Sequence, residues 1–327
     1  MRNLLLCSTI LLGLAACSAP EAADEAMDEA AENAAGTPAE DTAQADTGDD
    51  DAAGLPDTDI AVARISWTDG MPEITTPVVV TMQGLYDNQP AYDAAGGFYF
   101  TTESADGNTD IRYMDRSGSV SVITNTPGES EYSPRPSPDG RSVTYIHQPP
   151  GQVGGQAWRL MLDGSNYGPI HGYGPAGYYA LSGDQTQMLL FALTDPFSLL
   201  WLDLENGIEG EITTGIGRAL YSAPDGQSAY FTLQNEDGSW TIHSFSFEGN
   251  GVGEVMELPG ETEDYAVFTT PAGELGWFAS WDGELLFATG MDGNWRPVAN
   301  LSGLGDGGVS RLAVAADADH MAIVFTE

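Results

Sequence analysis

From Asp59 onward, short apolar or alternating runs are broken every few positions by clusters of turn-forming residues. The clearest unit runs from Tyr132 to Ile146, where Ser137-Pro138-Asp139-Gly140 separates two strand-like segments. Pro138 presets φ for a tight turn, Asp139 can bond its own backbone, and Gly140 accepts a positive φ. The following Val143-Thr144-Tyr145-Ile146 is β-branched and aromatic, as a buried strand requires. Related units place Asp93-Ala94-Ala95-Gly96 before Phe98-Tyr99-Phe100 and Ser182-Gly183-Asp184-Gln185 before Leu189-Leu190-Phe191. Others place Ala223-Pro224-Asp225-Gly226 before Ala229-Tyr230-Phe231, and Thr270-Pro271-Ala272-Gly273 before Gly276-Trp277-Phe278. The last is Ala315-Ala316-Asp317-Ala318 before Ala322-Ile323-Val324. The spacing is roughly 41–47 residues, which is the length of one four-stranded propeller blade.

A third and a fourth strand can be read after each of the first five hairpins, for example residues 110–114 and 119–124, or 199–204 and 211–213. The sixth repeat ends after two strands, while two further strands, residues 60–65 and 78–81, stand unassigned ahead of the first repeat, with an irregular connection between them. Val79-Val80-Thr81 echoes Val122-Ile123-Thr124, the outermost strand of the first full repeat. The pattern therefore predicts an all-β, six-bladed β-propeller over residues 59–327. Its blades are four-stranded and antiparallel, and N-terminal strands close the last one. Closure of this kind removes an exposed edge.

Composition adds constraints on location and partners. The formal net charge is −39, from 49 acidic and ten basic residues, and every basic residue is an arginine. Such acidity disfavours nucleic acid or an anionic membrane surface as a partner. Residues 1–17 combine a charged start, an apolar run from Leu4 to Leu14 and Leu14-Ala15-Ala16-Cys17, which resembles a bacterial lipoprotein signal ending at an acylated Cys17. An ordinary signal peptide with an incidental cysteine is the alternative. With Ser18 next, the resemblance implies the outer membrane. Residues 18–58 are Ala, Glu and Asp-rich, with neither a basic nor an aromatic residue, and are expected to be a disordered acidic tether. A basic partner for this acidic run is a second reading.

Repeats of the form Pro-x-x-Ser-Pro-Asp-Gly before a short apolar strand resemble the WD40-like (PD40) repeats of the TolB-like propeller family. The resemblance spans residues 59–327. It implies the fold, and it implies little about activity, because the family mixes binding proteins, accessory domains of enzymes and uncharacterised members. TolB carries an α/β domain ahead of its propeller and propeller peptidases append a hydrolase domain. Only the tether is expected here, so neither role is carried over.

The chain has no Gly-x-Ser-x-Gly elbow, His-Glu-x-x-His helix, phosphate loop or calcium-loop pattern. Two Gly-x-Gly-x-x-Gly matches, starting at Gly172 and Gly303, open no βαβ unit and read as loops. His147, His171, His243 and His320 fall at unrelated repeat positions, so no catalytic residue, metal site or cofactor is expected. Carboxylate-rich turns such as Glu236-Asp237-Gly238 are turn chemistry first, with calcium as the alternative.

What remains is the set of segments that lead from the outer strand of one blade into the inner strand of the next. In a propeller these converge around the channel mouth. They supply the candidate binding residues Asp87, Asn88, Glu131, Tyr132, Arg135, Tyr178, Arg218, Tyr221, Asp264, Tyr265 and Arg311. In so acidic a chain, Arg135, Arg218 and Arg311 are scarce anion-binding groups, and the tyrosines add contact area. The competing account pairs each arginine with Glu131, Glu263 or Asp264 to hold adjacent blades in register.

The expected function is a lipid-anchored, monomeric envelope module that binds a protein or peptide at its channel mouth. Its only tie to the membrane is the lipid. The alternatives are a metal-dependent propeller enzyme of lactonase or lyase type acting on a small anion, and a passive spacer.

Overall fold

The computed structural model describes residues 55–81 and 84–327, so the proposed signal sequence, Cys17 and nearly all of the acidic tether lie outside the described residues. Three strands come first, β1 (Thr58–Thr68), β2 (Met71–Ile74) and β3 (Val78–Val79). Blade 1 is β4 (Asp87–Tyr92), β5 (Phe98–Glu103), β6 (Thr109–Met114) and β7 (Val120–Val122). Blade 2 is β8 (Ser130–Pro136), β9 (Ser142–Gln148), β10 (Gln156–Met161) and β11 (Tyr167–Pro169). Blade 3 is β12 (Ala176–Leu181), β13 (Gln187–Ala192), β14 (Ser198–Asp203) and β15 (Ile208–Thr214). Blade 4 is β16 (Ile216–Ser222), β17 (Ser228–Gln234), β18 (Trp240–Ser246) and β19 (Val252–Glu257). Blade 5 is β20 (Tyr265–Thr269), β21 (Leu275–Trp281), β22 (Glu284–Thr289) and β23 (Arg296–Asn300). Blade 6 opens with β24 (Val309–Val314) and β25 (His320–Thr326).

Five sheets contain four strands each, in simple up-and-down order, and the sixth contains five. That sixth sheet joins the two ends of the ring. β25 pairs with β1 from Thr58↔Thr326 to Arg64↔His320, and β3 pairs with β1 on its other side. The predicted six-bladed ring and its N-terminal closure are therefore observed. The segment between residues 65 and 78 differs from the irregular connection read from sequence, because β2 folds back on the second half of β1, from Ile65↔Ile74 to Thr68↔Met71. Asp69 and Gly70 both take positive φ, 51° and 78°, as a two-residue hairpin turn demands.

The aspartate turns work as their composition suggests. Asp139 Oδ1 accepts from Ser137 Oγ at 2.7 Å and from the Arg141 amide at 3.0 Å. Asp184 repeats the arrangement with Ser182 and Thr186, and Asp237 bonds the Ser239 amide and hydroxyl. These bonds hold the exposed carboxyls of Asp139, Asp184 and Asp237 below their ordinary pKa, with the side-chain hydroxyl as the largest cause.

Hydrophobic burial sits between blades, where one sheet face meets the next. Phe191, Phe231 and Phe245 fill the seam of blades 3 and 4, and Tyr230, Tyr265 and Trp277 that of blades 4 and 5. Phe268, Phe278 and Phe287 meet Met321 and Ile323 between blades 5 and 6. Trp67 seals that seam, packing on Phe268 and Phe287 while its Nε1 donates to the Ala318 carbonyl at 2.8 Å. Ile60 joins Phe98, Phe100 and Val324, so β1 also ties blade 6 to blade 1.

Candidate functional site

The first strands of neighbouring blades lie against one another, β4 on β8 and β24, β12 on β8 and β16, and β20 on β24, while Tyr221 of β16 meets Tyr265 of β20, so these six strands line the axis of the ring. All candidate residues except Asp264 lie within these innermost strands, and Asp264 immediately precedes β20. The sequence places them in loops; the strands begin earlier than their turn-like composition suggests. The reason is a β-bulge. Register shifts interrupt β4 between Asn88 and Ala91, β8 between Tyr132 and Arg135, β16 between Ile216 and Leu220, and β24 between Val309 and Arg311. Bulged positions have no ladder bond to lose, which is why Pro90 and Pro134 fit inside strands β4 and β8. A bulge also re-aims the side chains beyond it.

Five blades send six residues to a common polar centre, two of them from blade 5. Arg311 from blade 6 is buried, donates from Nη2 to the Tyr178 hydroxyl of blade 3 at 3.0 Å, and lies over the Tyr178 ring with Cζ 5.0 Å from its centroid. Arg135 from blade 2 lies over the Tyr221 ring of blade 4 at 5.4 Å. The Tyr221 hydroxyl donates to Asp264 Oδ1 at 2.5 Å, and the Leu312 amide donates to Asp264 Oδ2 at 2.9 Å. Tyr265 closes the group, with its ring edge-on to Tyr221 at 5.2 Å. Guanidinium groups lying over phenol faces are oriented by the rings, which leaves the N–H groups not bonded to Tyr178 or to the Pro134 carbonyl as donors.

Electrostatics within this centre are set by burial. Burial pushes the Asp264 carboxyl up to about 6, against the opposing pull of Arg311, the Tyr221 hydroxyl and the Leu312 amide. Burial also raises the Tyr221 hydroxyl, and the Asp264 charge beside it adds to the shift. For Arg311, burial favours the neutral form, but Tyr178, Tyr221 and Asp264 outweigh it and hold the guanidinium protonated. Among the described residues, no carboxylate comes within ion-pair distance of Arg135 or Arg311. Arg218 behaves differently: its Nε sits 3.4 Å from Glu263, and its amide also bonds that carboxylate. Arg218 is thus paired with Glu263, one of the carboxylates that the competing account names.

The remaining candidates form a second group on blades 1 and 2. Asn88 reaches Thr58 Oγ1 at 3.5 Å and accepts from the Gln89 amide at 2.7 Å. Asp87 is fully buried, and neither of its carboxylate oxygens makes a well-aligned hydrogen bond among the described residues, although the Thr102 and Thr81 hydroxyls lie near enough to temper its pKa. Burial pushes its carboxyl up to about 6. Glu131 is likewise buried, accepts from Thr124 Oγ1 at 2.9 Å, and is pushed up to about 7 by burial. Tyr132 packs on the Ile146 and Tyr179 cluster of the blade 2–3 seam.

Sequence reasoning does not find the residues that build the bulges. Gln89 and Ser133 adopt positive φ, 58° and 54°, with a Cβ present. Gln89 Oε1 accepts from Thr101 Oγ1 at 3.0 Å and from the Ser133 amide at 2.6 Å, joining blades 1 and 2. The Tyr179 hydroxyl then lies 3.2 Å from the Ser133 carbonyl and 2.7 Å from Thr144 Oγ1, joining blade 3. The prolines next to Gln89 and Ser133 are the one local signal, since proline inside a strand pattern marks a bulge.

No family model and no curated protein sequence matches the chain. Solved structures do. A putative TolB from Agrobacterium tumefaciens superposes with TM-score 0.59 at 15% identity, covering 84% of this chain and 99% of that one. TolB from Acinetobacter baumannii gives TM-score 0.54 at 14% identity and covers 74% of this chain, which spans 64% of the length of that protein. An oligogalacturonate lyase described in complex with manganese gives TM-score 0.50 at 13% identity, over 81% and 78% of the two chains. The fold is that of the TolB-like β-propellers. At these identities the likeness extends to architecture only.

Proposed function

We propose that this chain is a lipid-anchored propeller of the bacterial cell envelope that holds a carboxylate-bearing segment of a protein or peptide at its channel. The observation that carries this reading is the pair Arg135 and Arg311, each lying over a tyrosine ring and neither ion-paired among the described residues. Two oriented guanidinium groups in a partly desolvated centre suit a carboxylate, which accepts bidentate bonds from such forks. The formal charge of −39 repels a highly acidic partner at long range. The favoured ligand is therefore a largely neutral segment that presents one or two carboxylates.

The anchor is supported by Leu14-Ala15-Ala16-Cys17 and by Ser18, which together favour acylation of Cys17 and the outer membrane, with residues 18–58 as the tether. Among the described residues no helix is long and apolar enough to cross a membrane. The envelope setting is also the one in which TolB-like propellers are found. The propeller is proposed to act as a monomer, without nucleic acid.

Peptides carrying one or two glutamates, compared with their glutamine counterparts, test the reading by calorimetry. The glutamate forms should bind, and Arg135→Met should weaken them about tenfold or more, as the loss of a charge-assisted bond of roughly 1.5–3 kcal/mol implies. Arg135 is only half-buried, so its replacement should leave the melting curve close to that of the parent. Equal affinity for glutamate and glutamine peptides, or an unchanged affinity in the Arg135 variant, would defeat the proposal.

A further inference from the structure

We propose that Glu129, Glu131 and His147 form a binding site for a divalent first-row transition metal, with zinc as the representative ion, at the seam between blades 1 and 2. The site is separate from the channel centre and uses different residues. Glu131 and His147 are register partners on β8 and β9, so their side chains leave the sheet on the same face. Glu129 precedes β8 by one residue and folds over them. One donor atom from each of the three lies within 4.8 Å of the other two, and His147 Nε2 is 2.7 Å from Glu129 Oε2. Tetrahedral zinc with such ligands has donor-to-donor edges of about 3.3–3.5 Å, so small side-chain adjustments close the set around an ion.

Charge argues for a cation here. Glu131 and Asp110 are both buried, Glu129 is half-buried, and the guanidinium of Arg112 comes no closer than 3.6 Å to Asp110. Arg112 pairs with Asp110 and His147 with Glu129, so Glu131 is the carboxylate of this group that has no cationic partner among the described residues, and a bound cation would supply one. The surroundings also hold the ligands in place. Thr124 from blade 1 donates to Glu131 Oε2, and the Trp158 ring packs on the His147 ring with centroids 4.2 Å apart. Such outer contacts fix ligand orientation in established metal sites. One imidazole nitrogen with carboxylate oxygens favours zinc or its first-row neighbours over calcium, which takes oxygen ligands. The side chain of Glu129, 34% exposed, leaves a way in for the ion and room for water as a fourth ligand.

Zinc titration of the purified chain, in buffer holding millimolar calcium to occupy exposed carboxylates, tests the site. The parent should bind one zinc per chain and melt at a higher temperature when loaded. Glu129→Gln and His147→Gln should each weaken that binding at least tenfold and remove the rise in melting temperature. Should His147→Gln fail to fold, Glu129→Gln decides alone, because its side chain is partly exposed. Zinc uptake in Glu129→Gln equal to that of the parent, or no calcium-resistant zinc in the parent, would overturn the assignment and leave a histidine–glutamate ion pair only.

Discussion

Removal of residues 58–81 is expected to leave a chain that no longer unfolds in a single cooperative transition. β1 is the third strand of blade 6, and it pairs with β25 along that strand's whole length, from Thr58↔Thr326 to Arg64↔His320. Its side chains Ile60, Ala61, Ala63 and Ile65 are buried, and Trp67 seals the blade 5–6 seam. Full burial of one large aliphatic side chain contributes roughly 1.5–3 kcal/mol, and each ladder bond about 0.5–1.5 kcal/mol. Several of each are lost together, against a net stability on the order of 5–15 kcal/mol for a whole domain. The loss also spreads, because Ile60 packs on Phe98 and Phe100 of blade 1 and the naked edge of β25 invites association. Circular dichroism and tryptophan fluorescence melts check this. A truncated chain whose two melts coincide with those of the parent would show that the ring does not need its latch.

The second large effect is a rise in stability on mild acidification. Burial raises the carboxyls of Asp87 and Asp264 to about 6. In the unfolded chain these groups return to the ordinary carboxylate range near pH 4. Between the two values the folded state binds more protons than the unfolded state, so stability falls as pH rises through the window and is regained as pH drops. The melting temperature should therefore increase from pH 8 to about pH 5. His243, whose pKa burial pulls down, opposes this below the ordinary histidine range, and the turn aspartates oppose it only below about pH 4.

Asp87 offers the cleanest single test, since its charge is buried without a cationic partner and without a well-aligned hydrogen bond to either oxygen among the described residues. Asp87→Asn should stabilise the chain at pH 8 by about 1–2 kcal/mol, a few degrees in melting temperature for a domain of this size. It should also flatten the rise between pH 8 and pH 5. A variant less stable than the parent at pH 8, with the same slope against pH, would show that the carboxylate is compensated in solution.

The ring was readable because its turns use residues with few alternatives. Pro138-Asp139-Gly140 and its relatives bond and turn as their chemistry dictates, and the echo between Thr81 and Thr124 marks a shared role. Thr81 Oγ1 accepts from the Ile60 amide at 2.7 Å and donates to Asp59 at 2.9 Å. Thr124 Oγ1 accepts from the Ile111 amide at 2.8 Å and donates to Glu131 at 2.9 Å. The β2 hairpin was less legible, although Asp69-Gly70 is a hairpin signal, because Pro72 breaks the strand pattern after it. The channel centre was legible as a set of residues and not as an arrangement. Arg311 meets Tyr178 across 133 positions of sequence, and only the closing of the ring decides that partner. Where the chain bulges, at Gln89 and Ser133, strand alternation no longer tells which way a side chain faces.

The most direct test of the account observes the arginine side chains themselves. In a nitrogen-edited spectrum of the folded chain, the Nε–H signals of Arg135 and Arg311 should move on addition of a glutamate-bearing peptide. Those of Arg116 and Arg141 on the outer turns should stay in place. Shifts confined to the outer arginines, or none at all with peptide bound, would contradict a carboxylate site at the centre of the ring.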